Sequence, residues 1–171
     1  MENLKYGIGR DVSMQKLDVC ISVINQGQQT IVLSTSSFQN NVAGFSDLLK
    51  RVGKCCKEPI PVMFLMEATG IYYEQLAWFL FQKEQTVAVI LPNKARKYKE
   101  ALGLKSKNDA IDAKGLATMV CEQNIRVWKP ISKNIYQLRL ITRQIERITQ
   151  HLTQFKNQLH TLGYGMFRDK S

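Results

Sequence analysis

Hydrophobic positions along the chain change rhythm several times, and each rhythm predicts an element. Tyr6 and Ile8 alternate with Gly7 and Gly9 ahead of Arg10 and Asp11, the pattern of a short strand whose glycines admit close backbone packing. Residues 17–24 and 30–34 read as two further strands around the turn NQGQQ, and such short links imply an antiparallel meander. Val42, Phe45, Leu48, Leu49 and Val52 then recur at helical spacing within residues 41–54. Pro59 and Pro61 interrupt the chain. Residues 62–66 are apolar without alternation, as in a strand covered on both faces, and they run straight into Glu67. Tyr73, Leu76, Ala77 and Leu80 mark a helix after Thr69 and Gly70. Residues 86–91 form another buried strand closed by Pro92, and a short helix follows over 96–102.

A last helix in this part of the chain opens near Asp109, with Ala113, Leu116, Ala117 and Val120 as its apolar stripe. The order is three strands, helix, strand, helix, strand, helix, helix. A meander followed by strand–helix crossovers predicts an α/β, ribonuclease-H-like (RuvC-like) mixed sheet flanked by helices. A plain doubly wound sheet is the competing topology, but it needs a helix between the first two strands, and none fits there. Pro130 and Ser132 mark a boundary. Beyond it Leu138, Ile141, Ile145, Ile148, Leu152, Phe155, Leu159 and Leu162 recur at alternating steps of three and four, an a/d seam that predicts a coiled-coil helix over 133–165 ending at Gly163 and Gly165. The chain thus divides into a domain over 1–130 and a long helix that needs a partner.

The net charge of +10, from 24 lysines and arginines against 14 acids, favours a polyanionic partner, because cationic surfaces bind phosphates with release of counterions. The charge is clustered. Lys94, Arg96, Lys97, Lys99, Lys105 and Lys107 are opposed only by Glu100, and Lys114 follows on the next helix. No apolar run is long enough to span a membrane, and the N-terminus lacks a signal-peptide core. Cys20, Cys55, Cys56 and Cys121 form no metal-binding pattern or disulfide framework, so a reduced cytosolic protein is expected.

Four carboxylates carry the candidate chemistry. Asp11 and Glu67 end strands; Asp109 and Asp112 open a helix three residues apart, on one face of it. Oxygen-only ligands suit magnesium, which keeps waters and substrate phosphates in its shell, and paired cations serve phosphoryl transfer. Each acid also has a plainer reading. Asp109 completes a capping-box-like Ser106-x-x-Asp109 pattern, and Asp11 can simply end a strand. Glu67 follows five apolar residues and is costly to bury unless paired or metal-bound. Asp18 and Glu74 read as solvated, His151 and His160 as solvent-facing. Tyr72, Tyr73, Trp78 and Phe79 read as helix packing. Tyr98 could stack on a base, though packing against the domain is the simpler role.

The segments RDVSMQKLDV (10–19), MEATGIYYEQLAWFL (66–80) and LPNKARKYKEALGLKSKNDAIDAKGLATM (91–119) resemble, in order, the N-terminal domain of the DEDD transposases of the insertion sequence 110 family, which includes the pilin-gene invertases. The resemblance implies a RuvC-like fold with Asp11, Glu67, Asp109 and Asp112 as an acidic tetrad binding magnesium, or manganese in its place. It implies DNA recombination guided by a structured non-coding RNA, in a homo-oligomer formed through the 138–162 heptads and located in a prokaryotic cytoplasm at the nucleoid. Two departures stand out. Arg10 occupies a place that is usually apolar, where it would distort the site unless it turned to solvent or met a phosphate. The family's second domain, bearing a nucleophilic serine, has no match here, and neither Ser13 nor Ser106 is a substitute. Two alternative functions remain from the residues alone: a self-sufficient nuclease like a junction resolvase, and a truncated regulator that pairs with full-length transposase.

Overall fold

The computed structural model describes residues 2–103 and 109–166, with the side chains of residues 109, 110, 133, 165 and 166 excepted. Chain contacts divide it into two units, Met1–Pro130 and Ile131–Ser171.

In the first unit, β1 (Asn3–Val12), β2 (Lys16–Asn25) and β3 (Thr30–Gln39) form the meander, followed by α1 (Val42–Cys55), β4 (Val62–Glu67), α2 (Tyr72–Gln82), β5 (Thr86–Ile90), α3 (Pro92–Ala101) and α4 (Asp109–Glu122). The strands make one sheet in the order β3-β2-β1-β4-β5. The meander is antiparallel, while β4 and β5 join it parallel to β1. This is the mixed, ribonuclease-H-like arrangement that the pattern predicts. All three meander strands run longer than their apolar cores suggest, β3 by five residues of the polar run TSSFQ, because ladder hydrogen bonds with β2 do not depend on side-chain polarity.

Local signals explain the ends. Asn41 caps α1, its Oδ1 accepting from the Gly44 N–H at 2.9 Å, and Pro92 opens α3 at a position where a missing N–H costs nothing.

The two faces of the sheet are unlike. On one, Ile8, Phe64 and Met66 pack with Phe45 and Leu48 of α1 and Leu76 and Leu80 of α2. On the other, Leu65, Ala88 and Ile90 meet Leu116, Met119 and Val120 of α4. Here Gly7 and Gly9 let the helix lie against bare backbone: a Cβ on Gly9 would stand 2.1 Å from the Ala117 nitrogen and 2.2 Å from the Ala113 oxygen. The glycines therefore bring α4, and the acids at its start, down onto β1.

Arg10 takes neither of the two expected routes. Strand alternation turns it away from Asp11 and into the α1/α2 core, where it is fully buried with its guanidinium 4.8 Å from the centre of the Phe64 ring. Solvent and phosphate are both out of its reach.

The second unit is α5 (Lys133–Met166). It continues through Gly163 and Gly165 instead of ending at them; helix interiors tolerate glycine at a cost of about 1 kcal/mol. Its seam residues Leu138, Ile141, Ile145, Ile148, Leu152, Phe155, Leu159 and Leu162 are all half or more exposed.

Candidate metal and nucleic-acid site

Strand register assembles the acids. β1 and β4 run parallel with Arg10 opposite Met66, and Asp11 and Glu67 are the next residues on the two strands. Across the other edge of β1, Asp11 faces Asp18, and Asp18 faces Ser37. Opposed residues share a face. That face is the α4 side, since Gly9, Leu65 and Cys20 (each two residues from one of these acids) all pack on α4. Asp18, Asp11 and Glu67 thus form one transverse row.

Helix α4 brings Asp112 to the Glu67 end of the row. Burial raises the Glu67 carboxyl above its ordinary range, the Lys99 ammonium opposes that rise, and Asp112 adds to it. Glu67 therefore feels both side chains. Lys99 donates to Asp112 Oδ1 at 2.7 Å. Asp109 is the first residue of α4; its side chain, together with Lys105, Ser106 and Lys107, lies outside the described residues.

The raised Glu67 pKa fixes the sign of a pH effect. The folded state holds this proton more tightly than the unfolded chain, so stability falls as pH rises through the window above the ordinary carboxylate value. Glu67→Gln is expected to melt higher than wild type at pH 7 in chelator. The difference should shrink as the pH is lowered through that window. Thermal melts across pH check this; a gain that grows on acidification contradicts it.

Of the basic residues on α3, Lys94, Arg96 and Lys97 are exposed, as is Lys114 on α4. Arg96 stands 3.8 Å from Glu100, a surface pair of small energetic weight. Arg96 also donates to Asn93 Oδ1 at 3.2 Å. Tyr98 is otherwise engaged: its ring packs on the α4 core and its hydroxyl donates to Glu122 Oε2 at 2.5 Å.

Two acids expected in solvent are buried. Glu74 is a buried residue in the first turn of α2. Asp18 accepts from Ser37 Oγ at 2.5 Å and pairs with Lys16 at 2.9 Å, close beside the candidate site. The alternation of Asp18 with Cys20 on β2 carries this information once the α4 face is known. Among the described residues, no three acid, histidine or cysteine side chains form a group that could hold a metal ion. Even so, the donors at hand suit a hard divalent ion: they are carboxylates only, and two of them repel one another in a partly buried place already taken up by an ammonium group.

A mixed sheet of this order, with α4 laid across its central strands, defines a RuvC-like, ribonuclease-H-type domain. The family model for DEDD transposases of the insertion sequence 110 type matches residues 8–166, and the chain belongs to that family. It is 27% identical over 155 residues to the pilin gene-inverting proteins of Moraxella bovis and Moraxella lacunata, covering 91% of this chain and 46% of each relative. The chain therefore spans about half the length of these curated relatives. Among solved structures it is similar to Thermus thermophilus RuvC in complex with a Holliday junction substrate, with a TM-score of 0.46 and 12% identity over 72% of this chain and 99% of that one. A second Thermus thermophilus RuvC structure gives the same TM-score at 13% identity. Among the described residues no helix is long and apolar enough to cross a membrane.

Proposed function

We propose that this chain is the RuvC-like, nucleic-acid-binding part of an RNA-guided DEDD transposase, acting in DNA transposition or site-specific recombination. The observation that carries the reading is the parallel register of β1 and β4, in which Asp11 and Glu67 come directly after the paired Arg10 and Met66, with α4 packed on that face and the charge of Asp112 felt at Glu67. Asp11, Glu67, Asp109 and Asp112 would hold magnesium, or manganese in its place. An ion held by these carboxylates would supply positive charge next to a phosphate oxygen.

The chain's own residues do the rest. The exposed Lys94, Arg96, Lys97 and Lys114, with Lys105 and Lys107, track the phosphates of DNA and of a structured guide RNA. The row of β1 and β4 carboxylates sets where the scissile phosphate stands relative to them. In this reading the covalent step belongs to a serine on a further domain, as the family resemblance implies, and this chain by itself binds without completing recombination.

Calorimetric titration with magnesium chloride tests the site. Asp11→Asn and Glu67→Gln should each weaken binding by about 100-fold or more, since even outer-sphere partners of a metal cost roughly 10–100-fold. Isotherms identical to wild type would remove the site. Metal-dependent cutting of branched DNA by the chain alone would favour the junction-resolvase reading instead.

The exposed seam of α5 supports a homo-oligomer, because a single helix cannot bury such a stripe. Ile145→Asp places a charge in its middle and should leave a monomer in sedimentation equilibrium where wild type is associated. Equal masses for the two would dismiss the seam as an interface. Co-sedimentation with a full-length transposase, lost in Ile145→Asp, is the outcome that would instead favour the regulator reading.

A further inference from the structure

Lys99 departs from the other cations of α3. Lys94, Arg96 and Lys97 extend into solvent, whereas Lys99 is turned inward with its side chain 16% exposed and its ammonium 2.7 Å from an Asp112 side chain that is 28% exposed. Lysine is a strongly hydrated point charge, and half-burying it is unfavourable unless a partner returns the lost solvation. Asp112 is that partner, and the field of the same ammonium reaches Glu67. One ammonium therefore pairs with Asp112 and partly offsets the charge of Glu67 at the place where the proposed cation would sit.

We propose that Lys99 is a built-in competitor for the divalent cation: it occupies the Glu67–Asp112 end of the site when metal is absent and must leave Asp112 before a metal can be held there. This rests on the metal reading given above. The physical grounds are independent of that reading's family origin. An ammonium and a divalent ion compete for one carboxylate, because their like charges repel at close range in a place of reduced dielectric. Metal affinity in this chain is then the difference between two binding events, and Lys99 lowers it. The lysine also serves the empty state. Without it the repulsion between Glu67 and Asp112 loses that offset, so the ammonium ties α3 to the start of α4.

The test compares wild type, Lys99→Met, Lys99→Gln and Lys99→Arg as the full 171-residue chain, titrated with magnesium chloride and manganese chloride at low ionic strength. Lys99→Met and Lys99→Gln should bind both ions about tenfold more tightly, the order expected when one partly buried ion pair no longer has to be broken. Lys99→Arg, which keeps the charge, should stay within about twofold of wild type. In chelator, Lys99→Met should melt below wild type, and magnesium should raise its melting temperature by more than it raises that of wild type. A lysine that only contacts phosphate would leave the metal affinities unchanged. Equal or weaker binding by both neutral variants overturns the competitor role while leaving the metal site standing. Absence of binding heat in all four proteins overturns the metal reading and this inference together. Lys99→Gln keeps the comparison decisive should Lys99→Met fail to fold.

Discussion

Gly9→Ala is expected to lower the melting temperature of the chain by about 10 °C and to abolish magnesium binding along with it. The added methyl would meet two backbone atoms of α4 at 2.1 and 2.2 Å, far inside contact distance. Neither atom belongs to a side chain that could rotate away. Relief requires the whole helix to move off β1 by more than an ångström, which also loosens the packing of Leu116, Met119 and Val120 on the sheet. Overpacking a core with flexible neighbours costs about 1–3 kcal/mol; against rigid backbone about 3 kcal/mol or more is expected, and for a domain of this size each kcal/mol shifts the midpoint by about 3–4 °C. Gly53→Ala is the control. It lies on α1 with nothing within 4 Å of its added Cβ, so it should stabilise by up to about 1 kcal/mol through helix propensity. Melting curves followed by circular dichroism separate the two, and a Gly9→Ala chain that melts with wild type would mean that α4 does not sit on β1 as described.

The second large effect runs the other way. Arg10→Met should stabilise the chain by about 1–4 kcal/mol, the range found when buried ionic groups give way to apolar ones of similar volume. Nε, Nη1 and Nη2 of Arg10 are all buried with no hydrogen-bond partner among the described residues. The Phe64 ring beneath the guanidinium returns about 2 kcal/mol, less than the several kcal/mol that desolvating a charge costs. Burial accordingly pulls the Arg10 pKa well below the usual guanidinium range, to about 9. A base with a lowered folded pKa weakens the fold at every pH below that value, and the penalty fades as pH rises from about 9 toward the unfolded pKa. The advantage of Arg10→Met should therefore be constant from pH 6 to about 8 and narrow above pH 9. Since Arg10 and Asp11 face opposite sides of the sheet, magnesium affinity should not change. Destabilisation by Arg10→Met at neutral pH would show that the guanidinium has a partner in solution that compensates its charge.

How far the site could be read in advance depended on the kind of information each residue carries. Asp11 and Glu67 are visible because each stands at or next to the end of a strand, where a carboxylate is conspicuous. Gly7 and Gly9 were visible as alternation gaps that only close packing explains. Asp18 reads as solvated from local pattern but is buried, since the same sequence would leave it in water if the α4 face lay on the other side. Lys99 was grouped with its neighbours on α3 because charge clustering is one-dimensional, while its pairing with Asp112 spans two helices.

Local sequence alone determined the number and type of elements, their order, and the heptad seam of α5, because periodicity, caps and turn residues act within a few positions of themselves. It also determined that an acid would end β4 and that another would stand one residue short of the end of β1. Tertiary structure alone decided that those strands are parallel neighbours in a register that puts Asp11 beside Glu67. It decided as well that Arg10 is driven into the core and that Lys99 answers Asp112. The physical reason is common to all three: pairing register and burial are set by contacts between segments far apart in the chain, and the free energy of a charge depends on what the fold brings within a few ångströms of it.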